Sequence, residues 1–595
     1  MIARTPDQEL SCWLATFDAA MSRCDVDAAM NLFLTDAFWR DLVAFTWNVH
    51  TFEGHEAIRD MLGVCLARTA PTLWQAAGPA RLDGDIVEAT ATFETATARC
   101  SAVIRLKQGK CWTLLTSMRE LKGFEETSGV RRPHGAPLRY QPGRKTWRRQ
   151  REQDARELGA TRQPYCVIVG AGHCGLSLAA RLKQLDVSTL IIDQHERPSD
   201  TWRDRHETLS LHSPSWFDAM PYFPYPETWP LYPSKDQFAD WLDAYRILID
   251  IDLWTDTKCL SADFNETSDE WILKVVRNGR TVELNPKQLV FATGLFGAPK
   301  VPDIPGMRRF KGEQRHASSP RGDGDYKGRR CVVIGSGTSA HDIGAEFWEV
   351  GADVTMIQRS PTIVMRHESL VASLASLYGD EARARGVTPE MADLLFASVP
   401  LRVLLQTQQQ LVAHIKERDA PFYEQLRKAG FQFTFGEDNA GIFAQILRDP
   451  AGYYINVGAS ELIVDGSIKL RSGVRVEALG DHTVLLSDGN ELPADVVIYA
   501  TGYDRAPAAK ALPEDIAYKV GRVWGLGSGI RNDPGPWEGE LRNMCKPTQQ
   551  TGLWFHSHSI GGARSYSQVL ALQIKAREVG IPTPVYKLAE VYHKG

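Results

Sequence analysis

Cys166-Val-Ile-Val-Gly-Ala-Gly-His-Cys-Gly175 sets a short apolar run directly before Gly170-x-Gly172-x-x-Gly175, and Leu176 to Leu185 continues with helical spacing. Strand, glycine turn, helix is the dinucleotide-binding order. The first glycine makes the tight turn, the second lets backbone approach a pyrophosphate, and the third lets helix and strand pack closely. The anion then rests on free N–H groups at the helix N-terminus. His173 and Cys174 fill variable positions of the turn and read as neutral fillers.

The next strand, Thr189-Leu-Ile-Ile-Asp193, ends in an acid about twenty residues past the turn and is followed by Gln194. A carboxylate there accepts hydrogen bonds from a ribose 2′-hydroxyl and repels a 2′-phosphate, so this unit suits FAD or NAD and disfavours NADP. The pattern returns at Cys331-Val-Val-Ile-Gly335-Ser-Gly337-Thr338-Ser339-Ala340, followed by a helix to about Trp348. Its second strand, Ala352 to Ser360, carries Gln358-Arg359-Ser360 where the first unit has Asp193. An arginine there forks onto a 2′-phosphate and stacks on adenine. FAD in the first unit and NADPH in the second is the physical reading, and the pair implies electron flow between them.

Working outward, 595 residues exceed one core and suggest three or four units. The composition, 43% hydrophobic and 24% charged, is that of an ordinary globular protein, and a net charge of −5 gives no reason to expect nucleic acid. No signal peptide or membrane-length apolar run is read, and the cytoplasm is the expected address. Ten scattered cysteines without a C-x-x-C pair argue against a disulfide framework, a zinc cluster or a redox dithiol; no metal site is expected.

Residues 1–122 read as a separate α+β cone. Helical spacing covers Asp7 to Ser22, Val26 to Phe33 and Glu56 to Arg68. Strand-like runs follow at Leu73–Leu82, Ile86–Thr95, Ala98–Leu106 and Lys110–Leu121, with hairpin signals at Asp83-Gly84 and Gln108-Gly109. This arrangement, with Phe52-Glu-Gly-His-Glu-Ala-Ile58 before the third helix, resembles the SnoaL-like fold. Asp41 and His50 read as partly buried polar residues on strands. Residues 123–163, marked by Pro133, Pro137 and Pro142, read as a linker carrying an exposed charged helix over Arg144 to Glu157.

A wider resemblance rests on ordered motifs. Asp200-Thr201-Trp202-Arg203, Leu209-Ser-Leu211-His212-Ser-Pro214, Tyr222-Phe-Pro-Tyr-Pro226 and Tyr232-Pro-Ser-Lys235 come first. Leu289-Val-Phe-Ala-Thr293-Gly294, Phe310-x-Gly-x-x-x-His316, Val496-Val-Ile-Tyr-Ala-Thr501-Gly502-Tyr503 and the closing segment Gly552 to Lys575 follow. Over about 165 to 580 the chain resembles the class B flavin-dependent monooxygenases, closest to the YUCCA-like branch. The resemblance implies segments 201–202 and 211–212 against FAD, His316 as support of an interdomain linker, and His212 as the catalytic candidate near the flavin. It also implies a flavin C4a-(hydro)peroxide as the oxygen donor, with O₂ and a small organic molecule as substrates. N- or S-oxygenation and oxidative decarboxylation of a 2-oxo acid are both open.

The family expects an aromatic four residues after His316, where this chain has Pro320, with Tyr326 the nearest candidate. That departure weakens a Baeyer–Villiger activity, which stays the alternative; a non-catalytic flavin-binding interaction protein is the alternative of another class. The expected architecture is α/β with two Rossmann-like dinucleotide-binding domains after the cone. FAD domain segments cover 164–300 and 501–595, and the NADP domain covers 301–500 with a helical insertion at about 361–450. A homodimer is a further possibility.

Overall fold

The computed structural model describes residues 4–135, 140–319, 324–504 and 510–593. Pro137 and Pro320 lie outside the described residues.

The N-terminal unit is one seven-stranded sheet with helices Pro6–Ser22, Val26–Met30 and Gly54–Thr69 packed with it. Thr5 closes a capping box with Gln8 at the start of the first helix, and Asp25 caps the second. The strands expected to carry Asp41 and His50 are Phe33–Leu42 and Val49–Glu53, and the first begins where a helix was expected. Its N-terminal half has no clean alternation because its pairing with Lys110–Leu121 slips between Phe33 and Phe38, which breaks the apolar pattern at Thr35-Asp36. The helix expected to reach Phe33 therefore stops at Met30. The single run expected over Leu73–Leu82 is two strands, Thr72–Ala76 and Arg81–Asp83, separated by Gly78-Pro79. Trp13, Phe17, Phe33, Trp39, Trp74 and Phe93 form the aromatic core of this unit.

A five-stranded all-parallel sheet follows, in spatial order Leu253–Trp254, Thr189–Ile192, Cys166–Val169, Gln288–Phe291, Leu553–Phe555. The last strand returns from the C-terminal part of the chain and pairs with Gln288–Phe291, which closes this unit. A second five-stranded parallel sheet runs Glu313–His316, Val496–Tyr499, Arg330–Ile334, Asp353–Gln358, Lys469–Ser472. Central strands of both are buried on both faces, hence their unbroken Val/Ile/Leu runs. Chain crosses between the units twice, and the two crossings pair antiparallel as Ala298–Pro299 with Tyr503–Asp504. The stretch read as a helical insertion carries five helices between His367 and Lys428. Its strands Thr362–Arg366 and Phe433–Thr434 form a small parallel sheet with Tyr453–Asn456, just beyond it.

The N-terminal unit packs on the helix Ile560–Glu578 and on the insertion. Arg40 forms a buried bidentate ion pair with Glu540 at 2.7 Å on both arms, and also donates to the Tyr566 hydroxyl and the Ala397 carbonyl. Arg105 donates to the Ser398 hydroxyl and carbonyl. Asp41 is fully buried and accepts from Phe45 N, Thr46 N and the Thr46 and Thr116 hydroxyls, so it organises its own loop. His50 is pushed down to about 4 by burial and nearby Lys546.

Candidate functional site

Each glycine turn ends in a helix whose first N–H groups have no side-chain cap. Gly172 stands at the N-terminus of His173–Gln184, and Gly337 at that of Thr338–Glu349. Uncapped amides need another acceptor, and an anionic ligand is the partner such termini favour. Gly170 sits at φ +109°, with a would-be Cβ 2.6 Å from the Ala292 carbonyl oxygen. At Gly175 that Cβ would lie 2.0 Å from the Gly170 carbonyl oxygen, so helix and turn are in contact. Around Gly172 no atom lies within 4 Å of the Cβ position, which leaves room where a pyrophosphate would sit.

Both turns open into one cavity of about 1680 Å³. Its wall contains Gly170, Gly172, Asp193, Gln194, Thr201, Trp202, Leu211, His212, Thr293 and Gly294 from the first unit. From the second it contains Gly335, Gly337, Thr338, Ser339, Ala340, Arg359 and Ser360, with Thr501 and Gly502 from the crossing. Gly175 alone among the expected residues is absent from the wall, because it packs against the turn.

Asp193 is buried and accepts from Ala171 N at 2.7 Å with Oδ2 and from His195 N and Nδ1 with Oδ1. It pins the turn to the strand end while facing the cavity. That carboxylate in turn raises the pKa of His195. In the second unit Gln358 is buried and exchanges two hydrogen bonds with the Gln432 backbone, so its side chain is unavailable to a ligand. Arg359 is exposed and forms no hydrogen bond or ion pair among the described residues. The Thr338 hydroxyl donates to the Tyr453 carbonyl at 2.9 Å, and the Thr501 hydroxyl to the Lys300 carbonyl at 2.5 Å. A ring nitrogen of His316 lies 3.0 Å from the Gly502 carbonyl oxygen, at the crossing. Trp202 packs edge-on against Phe238.

His212 meets a residue the sequence reading missed. Its Nε2 lies 3.8 Å from Oδ2 of Asp342, on the second unit's helix, and His206 Nε2 stands at the same distance from that oxygen. Burial and nearby Glu346 push Asp342 up to about 8. Burial, with a smaller contribution from His367, pushes His212 down to about 4, and burial pushes His206 to about 3. The cluster thus holds its proton on Asp342 at neutral pH, where the two units meet. A polar residue five places past Gly337, on a helix otherwise buried against the sheet, was the available signal.

Comparison with known proteins sharpens this geometry. A family described as pyridine nucleotide-disulphide oxidoreductase matches residues 167–396. The chain is 30% identical over 352 residues to the indole-3-pyruvate monooxygenase YUCCA1 of Oryza sativa subsp. japonica, covering 59% of this chain and 79% of that relative. The chain belongs to the flavin-dependent monooxygenases. It is also 29% identical over 398 residues to the probable indole-3-pyruvate monooxygenase YUCCA3 of Arabidopsis thaliana, covering 65% of this chain and 83% of the relative. Among solved structures, ε-caprolactone-bound cyclohexanone monooxygenase shares the fold at a TM-score of 0.51 and 17% identity, over 70% of this chain and 88% of that one. OTEMO in complex with FAD and NADP does so at 0.50 and 17%, over 71% and 86%. This monooxygenase is an NADPH-dependent flavoprotein that uses FAD and O₂ on a small-molecule substrate. No helix of this monooxygenase, among the described residues, is long and apolar enough to cross a membrane.

Proposed function

We propose that the first unit of this monooxygenase holds FAD, that the second holds NADPH, and that both meet substrate in the shared cavity. The observation that carries this reading is the opening of two uncapped glycine turns into one space. FAD supplies two-electron redox chemistry and O₂ activation, and NADPH supplies the hydride.

The chain's own residues bind, orient and manage protons. Amides at Gly172 and Gly337 receive the two pyrophosphates. Asp193 accepts from a ribose hydroxyl with the lone pairs that Ala171 and His195 leave free. Arg359 forks onto the 2′-phosphate, which only NADPH carries. Trp202 and Leu211 line the space beside the flavin and keep water from it. Asp342 holds a proton at the junction of the units, and His212, neutral beside it, accepts that proton or passes it toward the cavity. No carboxylate pair is required, because the cofactors carry the oxygenation.

The substrate class we propose is a 2-oxo acid that is oxidatively decarboxylated, with soft nitrogen or sulfur nucleophiles as the competing class. The similarity to indole-3-pyruvate monooxygenases supports the first. Product analysis decides. With indole-3-pyruvate and NADPH, CO₂ release matching NADPH consumption supports the proposal. Hydrogen peroxide as sole product there, with sulfoxide formed from a thioether, overturns the 2-oxo-acid reading and leaves the cofactor assignment standing.

A further inference from the structure

Beneath the first glycine turn lies a cluster of soft ligands that the cofactor reading does not use. The strand Leu553–Phe555 runs out into His556 and His558, and Met544 bridges to Phe555 so that Cys545 lies beside them. One ligand atom from each of Cys545, His556 and His558 lies within 4.8 Å of the other two. The Cys545 sulfur is 3.1 Å from Nδ1 of His556. Cys545 and His556 are both 0% exposed, while His558 reaches the cavity wall.

Two nitrogens in this cluster are unsatisfied. Nε2 of His556 and Nε2 of His558 are buried without a hydrogen-bond partner among the described residues. Leaving a buried polar atom without a partner is unfavourable, and this cluster carries two. Neutral imidazole is the ligating form. The backbone around His558 is fixed: its N–H donates to the Cys174 sulfur, and its carbonyl oxygen lies 2.8 Å from a His173 ring nitrogen. Its ring stacks on Tyr566 at 4.6 Å, and Arg40 holds the Tyr566 hydroxyl.

We propose that Cys545, His556 and His558 form a three-ligand site for a borderline-soft divalent cation of the Zn²⁺ class, with the fourth position open. One thiolate and two imidazoles suit Zn²⁺ or Co²⁺ and not Mg²⁺ or Ca²⁺, which demand oxygen. Tetrahedral bond lengths near 2.0–2.3 Å require ligand atoms roughly 3.3–3.6 Å apart; Cys545 sulfur and His556 Nδ1 stand at 3.1 Å, and all three ligand atoms lie within 4.8 Å of one another. Binding replaces the thiol proton by the metal: the S–H bond breaks, the sulfur pair forms the metal bond, and the proton leaves to solvent. The spacing Cys-x₁₀-His-x-His matches no familiar ligand motif, so the return strand and not the sequence brings the set together.

The test uses the full-length flavoprotein with FAD bound, stripped by chelator and titrated with Co²⁺. Saturable uptake of a single Co²⁺ is expected, with the intense visible bands of four-coordinate cobalt at wavelengths beyond the flavin's absorption and release of one proton. Cys545→Ser and, separately, His558→Gln are expected to abolish those bands and weaken uptake by more than roughly 100-fold, beyond the loss seen when outer-shell partners are removed. Absence of Co²⁺ uptake by the wild type, or only the weak bands of six-coordinate cobalt, overturns the proposal. So does uptake by both variants equal to wild type. Where a variant does not fold, the wild-type spectrum decides alone.

Discussion

Arg40 and Glu540 stand 500 residues apart in the chain and face each other across a bidentate ion pair that is 4% and 2% exposed. Thr51 donates to the same carboxylate at 2.7 Å, and Tyr566 accepts from the same guanidinium. The N-terminal unit is thereby joined to the loop before the return strand and to the helix Ile560–Glu578. That helix begins two residues after His558, on the cavity wall.

Removing one partner of such a pair leaves an uncompensated buried charge, a loss of about 3–5 kcal/mol. Arg40→Met is expected to lower the urea midpoint accordingly. The double variant Arg40→Met/Glu540→Leu should recover part of that loss, because an apolar pair of similar volume leaves no charge stranded. Equal destabilisation of the single and double variants contradicts the ion-pair account.

Two glycines of one turn should fail differently. At Gly175 a methyl group collides with backbone that cannot move aside, so Gly175→Ala should lower the thermal midpoint of the flavin-free protein. Gly172 has open space around its Cβ position, so Gly172→Ala should leave that midpoint unchanged while weakening FAD. Calorimetry of the flavin-free forms beside FAD titration checks both. A fall in the Gly172→Ala midpoint would place that glycine in packing instead.

Asp342 gives a pH signature whose sign is fixed by its environment. Its folded pKa, about 8, lies above that of an unfolded aspartate, so its contribution to stability is full below the unfolded value and is lost as pH rises toward 8. Asp342→Asn should therefore flatten the decline in thermal midpoint between pH 5 and pH 8. His206 and His212 act in the opposite sense: their depressed values contribute above the unfolded imidazole range, and that contribution is lost as pH falls toward 4 and below. An Asp342→Asn profile parallel to wild type over pH 5–8 rules out the buried protonated carboxyl.

Both glycine turns, the acid at 193 and the arginine at 359 were legible because the chemistry of each is local. A tight turn and the residue at a strand end lie within thirty residues of one another. The start of the strand Phe33–Leu42 was not legible, because a register slip erases the alternation between Phe33 and Phe38. Asp342 was passed over because its partners, His206 and His212, lie on the other unit. Cys545, His556 and His558 lay inside a segment read only as the return to the first sheet, and parallel pairing across the chain is not written in local periodicity. The Arg40–Glu540 pair joins regions that sequence reading treats separately.

The division of cofactors between the two units is tested most directly by the rate of flavin reduction with NADPH and with NADH, in wild type and in Arg359→Ala. Arg359 has no protein partner among the described residues and faces the cavity, so its loss should act on the 2′-phosphate alone. A charge-assisted hydrogen bond worth about 1.5–3 kcal/mol corresponds to roughly 10- to 150-fold. The account predicts that KM for NADPH rises by that factor while KM for NADH and the FAD content stay as in wild type. Equal changes for the two nucleotides, or loss of FAD from Arg359→Ala, would contradict it.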